Sequence, residues 1–535
     1  MAEPAPGAVA PLGKLPLEIV GQIFEHLVPE PPEIGETRPV AYDQLVPGEP
    51  WYDFTRCRRA LRNLHFVCRQ FAQLAQPLLY RVVAILDEVG LVLFFRTMLE
   101  RPDLGLRTRY FSCHLTLTQA SVIRETRRAL SHLLRPSQPG TVHSGYLVAV
   151  NGTMQIMNFT FPFIPAGHVD GLPQVVVFFI LTRLKRLDTL LLQLPICDDD
   201  PEYEGLFGKL AELKTMPPAT QQEEERPFES IRTVLLQGDP ELLEHFESDE
   251  CSCEIPESWG CQPQQYFPLY EAMPNMTTLE ISADNGVWED DRSPLPRGKQ
   301  GPLLGAVRHL YLNETVASPR DLHLAVRQAP QLETLYMTPR RDYEFEEEAG
   351  WVAEWESLDV ALQERASTLR HLDVAWFDCR GYEEFIGPDG RLASLPSFTG
   401  LEKLCVQLCV LYGSNPSAHL QTPLVDLLPP NLVEFTLEDW WWSDIDTLDA
   451  SESWEASDKV TFYQGRQEYR ARALAALSQF AMSCPERLPR LRKFTFLTRI
   501  PWTWTLVGYI PMHSHFDMVK DILVSHGVEF VVDEV

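Results

Sequence analysis

The sequence predicts an α/β protein in which a small helical module precedes an irregular solenoid of strands and helices. Two amphipathic segments near the N-terminus predict the module. A local apolar pattern that returns nine times, with helical segments between its copies, predicts the solenoid. We expect residues 1–13 to be disordered, 14–82 to form the module, 83–110 to form a helical linker, and 111–535 to form the repeat region.

Length and composition limit the class of protein. The chain has 535 residues, of which 45% are hydrophobic, so it can bury a large core in more than one domain. Its net charge of -29 repels phosphate and anionic lipid, so we expect neither a nucleic acid nor a membrane as partner. The sequence begins without a secretory signal, and its cysteines lack disulfide-framework spacing. We therefore expect a cytoplasmic or nuclear protein, or one present in both compartments.

The first amphipathic segment is KLPLEIVGQIFEHLVPEPPE, residues 14–33. Pro16 suits a first helical position, because its missing N–H is not needed there. An apolar stripe at helical spacing follows, and prolines end it; the stripe consists of Ile19, Ile23, Phe24 and Leu27.

The second segment follows a proline- and acid-rich insert at about 29–55, which we expect to be a loop. It has the sequence RRALRNLHFVCRQFAQLAQPLLYRVV. Its helical stripe comprises Leu61, Leu64, Val67, Cys68, Phe71, Leu74 and Ala75. Both segments are too short to be stable alone in water, so they must pack on one another or on a partner.

Together these segments resemble an F-box. The resemblance rests on Leu15-Pro16, on Glu18-Ile19, and on the block Leu64-x-x-Val67-Cys68-Arg69-x-Phe71. It covers the N-terminal part of the chain alone, and the insert separates the two blocks more widely than is usual, although F-box proteins of filamentous fungi often carry one. The alternative is an ordinary helical hairpin belonging to one large core.

The resemblance implies docking on the Skp-type adaptor, and through it the cullin, of a ubiquitin ligase. The residues that it implies for adaptor binding are Leu15, Pro16, Ile19, Ile23, Phe24, Leu27, Leu61, Leu64, Val67 and Cys68. Some of these must hold the module's own core, and the sequence does not separate the two sets.

The repeated pattern is an apolar residue, two polar residues, an apolar residue, any residue and an apolar residue. Its last two apolar positions lie two apart, as one face of a strand requires, and its first closes the preceding turn. The copies are LDTLLL (187–192), IRTVLL (231–236), MTTLEI (276–281), VRHLYL (307–312), LETLYM (332–337), LRHLDV (369–374), LEKLCV (401–406), LVEFTL (432–437) and LRKFTF (491–496).

Helical candidates lie between the strands, at 318–330, 351–368 and 467–484. The region resembles degenerate leucine-rich repeats, although the Asn or Cys that those repeats place after the strand is mostly missing. The alternative is an irregular α/β domain built from several βαβ units.

Three further stretches are candidate sites. Trp440, Trp441 and Trp442 are adjacent, so at least one indole is expected near the surface, where it could bind a target protein; packing in the core is an equal alternative. Cys251, Cys253 and Cys261 lack the second pair of ligands that a zinc site needs, so we expect free thiols. Acidic runs such as DYEFEEEAGWVAEWE indicate solvated loops or helix starts, or a surface that attracts basic segments.

The sequence contains no HExxH, G-x-S-x-G or G-x-G-x-x-G motif, so we expect no catalytic residue, metal or cofactor. The resulting hypothesis is a substrate receptor of a cullin–RING ubiquitin ligase, which binds an unidentified protein through its repeats. The alternatives are an F-box scaffold that acts without the ligase, and an α/β enzyme whose pocket gathers ionisable groups.

Overall fold

The computed structural model gives a mixed helix and strand protein with parallel sheet. The chain divides into two compact units, residues 1–235 and 236–535. The structure describes residues 15–28, 49–85, 88–114, 172–193, 228–238, 263–282, 302–315, 319–339, 358–374, 392–412, 422–439, 456–498, 504–505, 508–509 and 512–534.

The first unit begins with three helices. They are α1 (Leu17–Glu25), α2 (Glu49–His65) and α3 (Arg69–Leu79). The second predicted stripe is therefore shared by two helices, because the chain turns at Phe66 and Val67 before α3 starts. Cys68 caps α3: its Sγ accepts a hydrogen bond from the Phe71 N–H at 3.4 Å. The predicted insert loop ends earlier than expected, since α2 already begins at Glu49.

Four parallel strands follow, of which the last begins in the first unit and ends at the start of the second, and their order in the sheet is their order in the chain. The strands are β1 (Val82–Ile85), β2 (Tyr110–His114), β3 (Thr189–Gln193) and β4 (Thr233–Gln237), and the helices between them are α4 (Glu88–Glu100), α5 (Pro102–Gly105) and α6 (Leu172–Arg183). The segment 83–110, predicted as a helical linker, holds the expected helix but also most of β1. It forms a strand–helix–strand unit, because β1 pairs in parallel with β2.

The second unit repeats this construction. Its parallel strands, again in chain order, are β5 (Thr278–Ser282), β6 (His309–Thr315), β7 (Thr334–Pro339), β8 (His371–Val374), β9 (Lys403–Gln407), β10 (Glu434–Asp439), β11 (Lys493–Thr498) and β14 (Glu529–Glu534). The short strands β12 (Trp504–Thr505) and β13 (Gly508–Tyr509) form a separate antiparallel pair. Its helices are α7 (Phe267–Ala272), α8 (Pro319–Gln328), α9 (Leu358–Gln363), α10 (Leu408–Tyr412), α11 (Ala456–Arg487) and α12 (Met512–Ser525).

The repeated apolar pattern coincides with the strands. All nine copies fall on a strand, β3 to β11, and each strand begins at the third residue of its copy. The first residue of the copy is buried in the preceding turn, as expected. For example, the Val307 N–H donates to the Leu304 carbonyl at 3.0 Å, and Leu187 does the same toward Leu184 at 3.1 Å.

Successive copies of the pattern are joined by one recurring backbone arrangement. The carbonyl of the second residue of one copy accepts hydrogen bonds from two consecutive N–H groups of the next copy. The Arg308 carbonyl accepts from Glu333 at 2.7 Å and from Thr334 at 2.8 Å, and the Glu333 carbonyl accepts from Arg370 at 2.8 Å and from His371 at 2.9 Å. Each strand is thereby held in register by the backbone of its neighbour, whatever the side chains are.

One face of the second unit's strands is apolar, and helices cover it. Phe435, Phe494 and Phe530 are in register on β10, β11 and β14, and their rings stack at centroid distances of 5.2 and 5.3 Å. Phe480 of α11 packs 5.9 Å from Phe435, and Phe516 of α12 packs 6.3 Å from Phe530. The core therefore lies between this face and the helices.

The opposite face carries the alternate residues, among them Glu280, Tyr311, Tyr336, Asp373 and Cys405, which are in register on β5 to β9. Within the residues that the structure describes, no helix combines the length and the apolar character needed to cross a membrane.

Candidate functional site

The first candidate surface is on the three-helix module, which has a core of its own. That core consists of Val20, Phe24, Leu61, Phe71 and Ala75, each at most 7% exposed. The rings of Phe24 and Phe71 meet edge to face, with centroids 5.2 Å apart. Since this core holds α1 against α3, the module does not need the outer face of α1 for its own stability.

The outer face of α1 remains exposed although it is aliphatic. Ile19 and Ile23, one turn apart on one face of α1, are 41% and 38% exposed, and at the start of the helix Leu15 and Leu17 are 36% and 44% exposed. A second exposed apolar group lies in the turn between α2 and α3, where Phe66 is 73% and Val67 is 64% exposed. Apolar side chains collected on a small module in this way are typical of a protein interface.

The structure separates the residues that the F-box resemblance implied. Phe24 and Leu61 lie in the module core, and Leu27 and Leu64 are partly buried against that core. The implied residues that stay exposed are Leu15, Pro16, Ile19, Ile23, Val67 and Cys68.

Two further exposed residues, Leu17 and Phe66, were missed by the sequence reasoning. Each adjoins an implied residue, and the signal in the sequence was its apolar side chain next to the motif.

The module is anchored to the strands of the first unit. Phe54 of α2 is buried against Val82, Ala84 and Tyr110 of β1 and β2. Arg58 lies over the Phe54 ring at 5.8 Å and donates to the Ala84 carbonyl at 3.5 Å. Burial lowers the pKa of Arg58 from its ordinary value. The module is thus held on the first strand by packing rather than by a loose linker.

The second candidate surface is the polar face of the second unit near the ends of β4, β5 and β6. Glu280 is fully buried, and the Asn313 side-chain amide donates to its Oε1 at 3.0 Å and to the Ser282 hydroxyl at 3.3 Å. Burial raises the pKa of Glu280 to about 8, and the hydrogen bond from Asn313 opposes that shift only in part. The carboxyl is therefore mostly protonated at neutral pH.

A thiol occupies the same face farther along the strands. Cys405 Sγ lies 3.6 Å from Glu438 Oε1, and Asp373 is its neighbour in register on β8. Burial is the main cause that raises the pKa of Cys405 well above its ordinary value, and the nearby carboxylates of Asp373 and Glu438 raise it further. This thiol stays protonated, so it lacks the thiolate that a nucleophile requires.

Histidines also approach one another on this face. The Thr334 hydroxyl lies 3.0 Å from His309 Nδ1 and 3.5 Å from His371 Nδ1. Burial and the charge of Lys403 lower the pKa of His371. Among the residues that the structure describes, no group of three or more His, Cys, Asp or Glu side chains is arranged to hold a metal ion.

Two sets of predicted site residues lie outside the described ranges: the tryptophans at 440–442 and the cysteines at 251, 253 and 261. In comparisons with known proteins, no family model matches this chain, and no curated protein matches it significantly.

Proposed function

We propose that this chain is a substrate-receptor subunit of a cullin–RING ubiquitin ligase of the Skp–cullin–F-box type. Residues 14–82 would be its F-box, and the repeat region would bind the protein to be ubiquitinated. The observation that carries the proposal is the exposed aliphatic face of α1, with Ile19 and Ile23 at its centre, beside a module core that is already complete.

The two faces of α1 support separate tasks. Val20 and Phe24 point into the core, whereas Ile19 and Ile23, each one position earlier along the helix, stay about two-fifths exposed. When a partner covers apolar surface of this kind, its removal from water contributes a favourable free energy of roughly 25 cal/mol per Å². Together with Phe66 and Val67, this face is the surface on which we expect the Skp-type adaptor to dock.

The repeat region is proposed to be a leucine-rich-repeat-like solenoid. Its support is the chain-order parallel pairing of the strands and the recurring carbonyl arrangement that joins each unit to the next. A receptor of this type performs no chemistry: it holds a target near the ligase, whose other subunits transfer ubiquitin. Trp440, Trp441 and Trp442 remain the proposed target contacts, because tryptophan is enriched at interface hot spots.

A pull-down with the adaptor and cullin tests the proposal. We expect wild-type protein to capture both, and the double variant Ile19→Asp, Ile23→Asp to lose both, because docking would bury unpaired carboxylates. Val360→Asp is the matched control: it places the same charge at an aliphatic residue of α9 that is 42% exposed, against 41% for Ile19. Circular dichroism checks that each variant is folded.

The outcomes separate the alternatives. Loss of adaptor in the folded double variant, with binding kept by Val360→Asp, supports the F-box assignment. Capture of the adaptor without cullin by wild-type protein would instead favour a scaffold that acts outside the ligase. No capture of the adaptor by wild-type protein would refute the proposal.

A further inference from the structure

Four polar residues of the second unit lie buried on neighbouring strands, and the proposed function does not use them. The four residues, named here the Glu280 cluster, share this feature, and none is more than 7% exposed: Gln237, Glu280, Ser282 and Asn313. Gln237 and Ser282 are the last residues of β4 and β5, Glu280 is the middle residue of β5, and Asn313 lies two residues before the end of β6. Gln237 belongs to the same place as the others, because the N–H of the next residue, Gly238, donates to the Ser282 carbonyl at 2.9 Å.

The hydrogen bonds of the Glu280 cluster are incomplete. The Asn313 amide nitrogen donates hydrogen bonds to Glu280 Oε1 and Ser282 Oγ. In contrast, Glu280 Oε2, Asn313 Oδ1 and both side-chain polar atoms of Gln237 are buried without a hydrogen-bond partner in the described part of the chain. Leaving a buried polar atom unpaired is destabilising, because the atom loses its hydrogen bonds to water without replacing them. The unpaired acceptors among these atoms point to a ligand that donates hydrogen bonds.

The unpaired atoms define the chemistry of that ligand. Three of the four are acceptors once Glu280 is ionised: Glu280 Oε2, Asn313 Oδ1 and Gln237 Oε1. The fourth, Gln237 Nε2, is a donor. A primary ammonium group has three N–H donors and no acceptor, so it matches the three acceptors. Tyr311, in register with Glu280 on the neighbouring strand, adds an aromatic side chain on the same face, and aromatic rings favour cations. The net charge of -29 also draws cations toward the chain.

We propose that the Glu280 cluster binds a primary ammonium group, carried either by a lysine side chain or by a small free amine. Glu280 supplies the counter-charge, Asn313 and Gln237 supply the remaining acceptors, and Ser282 holds the Asn313 amide in place. Binding of an ammonium group at this cluster requires neither the adaptor nor ubiquitin transfer, so it can be tested independently of the proposed function.

Binding of an ammonium group requires the ionised form of Glu280. A neighbouring cation favours that form, so the carboxyl proton is released to solvent when the ligand enters. Among the described residues, the charge state of Glu280 responds to burial and to the Asn313 hydrogen bond, and no other ionisable group contributes noticeably. Proton release should therefore follow Glu280 alone.

Titration calorimetry on the full chain tests the proposal, with n-butylammonium and Nα-acetyl-lysinamide as probes at constant ionic strength. Tetramethylammonium is the control cation, because it carries the charge without an N–H donor. We expect saturable binding of both primary amines and none of tetramethylammonium. With the pKa of Glu280 at about 8, the affinity at pH 8.5 should exceed that at pH 6.5 by about 25-fold. Tighter binding of one probe tells a lysine side chain from a free amine as the source.

Two variants locate the site. Glu280→Gln keeps the shape of the side chain but cannot ionise, so binding should fall at least tenfold; Gln237→Met should produce a similar loss and serves if the first variant does not fold. Glu434→Gln, which removes the same charge from a partly exposed residue paired with Lys403, should leave binding unchanged. Absence of saturable binding in wild-type protein, or equal binding by Glu280→Gln, would overturn the proposal and leave the cluster hydrated by water alone.

Discussion

The pH dependence of stability should change when Glu280 is replaced by Gln. In the folded chain burial raises the pKa of this carboxyl from 4.5 to about 8, so the folded state holds the proton more tightly than the unfolded state. The resulting stabilisation is fully present below about pH 4.5 and is lost as the pH rises through 8. The shift corresponds to a change of about 5 kcal/mol across this window, as an order of magnitude.

Glutamine has nearly the same shape as the protonated acid and does not titrate. We therefore expect Glu280→Gln to match the wild type near pH 4.5 and to become progressively more stable than it, by about 1.4 kcal/mol per pH unit, until the difference levels off above pH 8. Urea unfolding followed by tryptophan fluorescence, at several pH values with Glu434→Gln alongside, measures the difference. Parallel pH profiles for the wild type and Glu280→Gln would refute the reasoning.

Three smaller predictions concern packing and reactivity. Phe24→Ala should lower the free energy of unfolding by about 3–5 kcal/mol, measured by urea unfolding, because it empties the module core; a change below 1 kcal/mol would contradict that core. Gly105→Ala should lower the thermal midpoint, because a Cβ there would lie 2.9 Å from the Arg183 carbonyl oxygen. Gly21→Ala should raise the midpoint, because no atom lies nearer than 3.9 Å to its added Cβ. Equal shifts of the two variants in scanning calorimetry would argue against the close approach at Gly105. In maleimide labelling at pH 7.5, exposed Cys68 should react quickly and Cys405 slowly, because the raised pKa of Cys405 suppresses its thiolate; similar rates would rule this out.

Most of the strands could be predicted from sequence because one position of the pattern is nearly always aliphatic. That position closes the turn before the strand. Three strands of the parallel sheets, β1, β2 and β14, were not predicted. In them the position that closes the turn is occupied by Tyr80, Thr108 and Gly527. Gly527 adopts a φ of 77°, a left-handed conformation that an aliphatic residue would resist, so the backbone itself forbids the expected side chain there.

The candidate sites were less accessible to sequence reasoning, for a different reason. Burial in a short helix depends on where the partner helices lie, and α1 is apolar on more than one side: Ile19 and Ile23 point outward while Val20 and Phe24 point inward. Glu280 occupies the position of the pattern that accepts any residue, where a solvated side chain is the ordinary expectation for a glutamate. In the structure it is completely buried and accepts a hydrogen bond from Asn313 of the neighbouring strand, a pairing that no local pattern encodes.

The recurring backbone arrangement also has a mechanical consequence for the second unit. Each strand is fastened to its neighbour by a ladder of hydrogen bonds, so a load applied at the C-terminus acts first on β14, whose described strand neighbour is β11 alone. Under tension such a stack should peel one strand at a time, giving a series of small force steps with lengths set by the chain between strands. The number of residues from one strand to the next differs widely, since Val307 and Leu332 are 25 residues apart and Leu432 and Leu491 are 59 apart. In the extension record of a single pulled molecule, the longest step should therefore accompany detachment of β11 from β10, and the shortest that of β7 from β6.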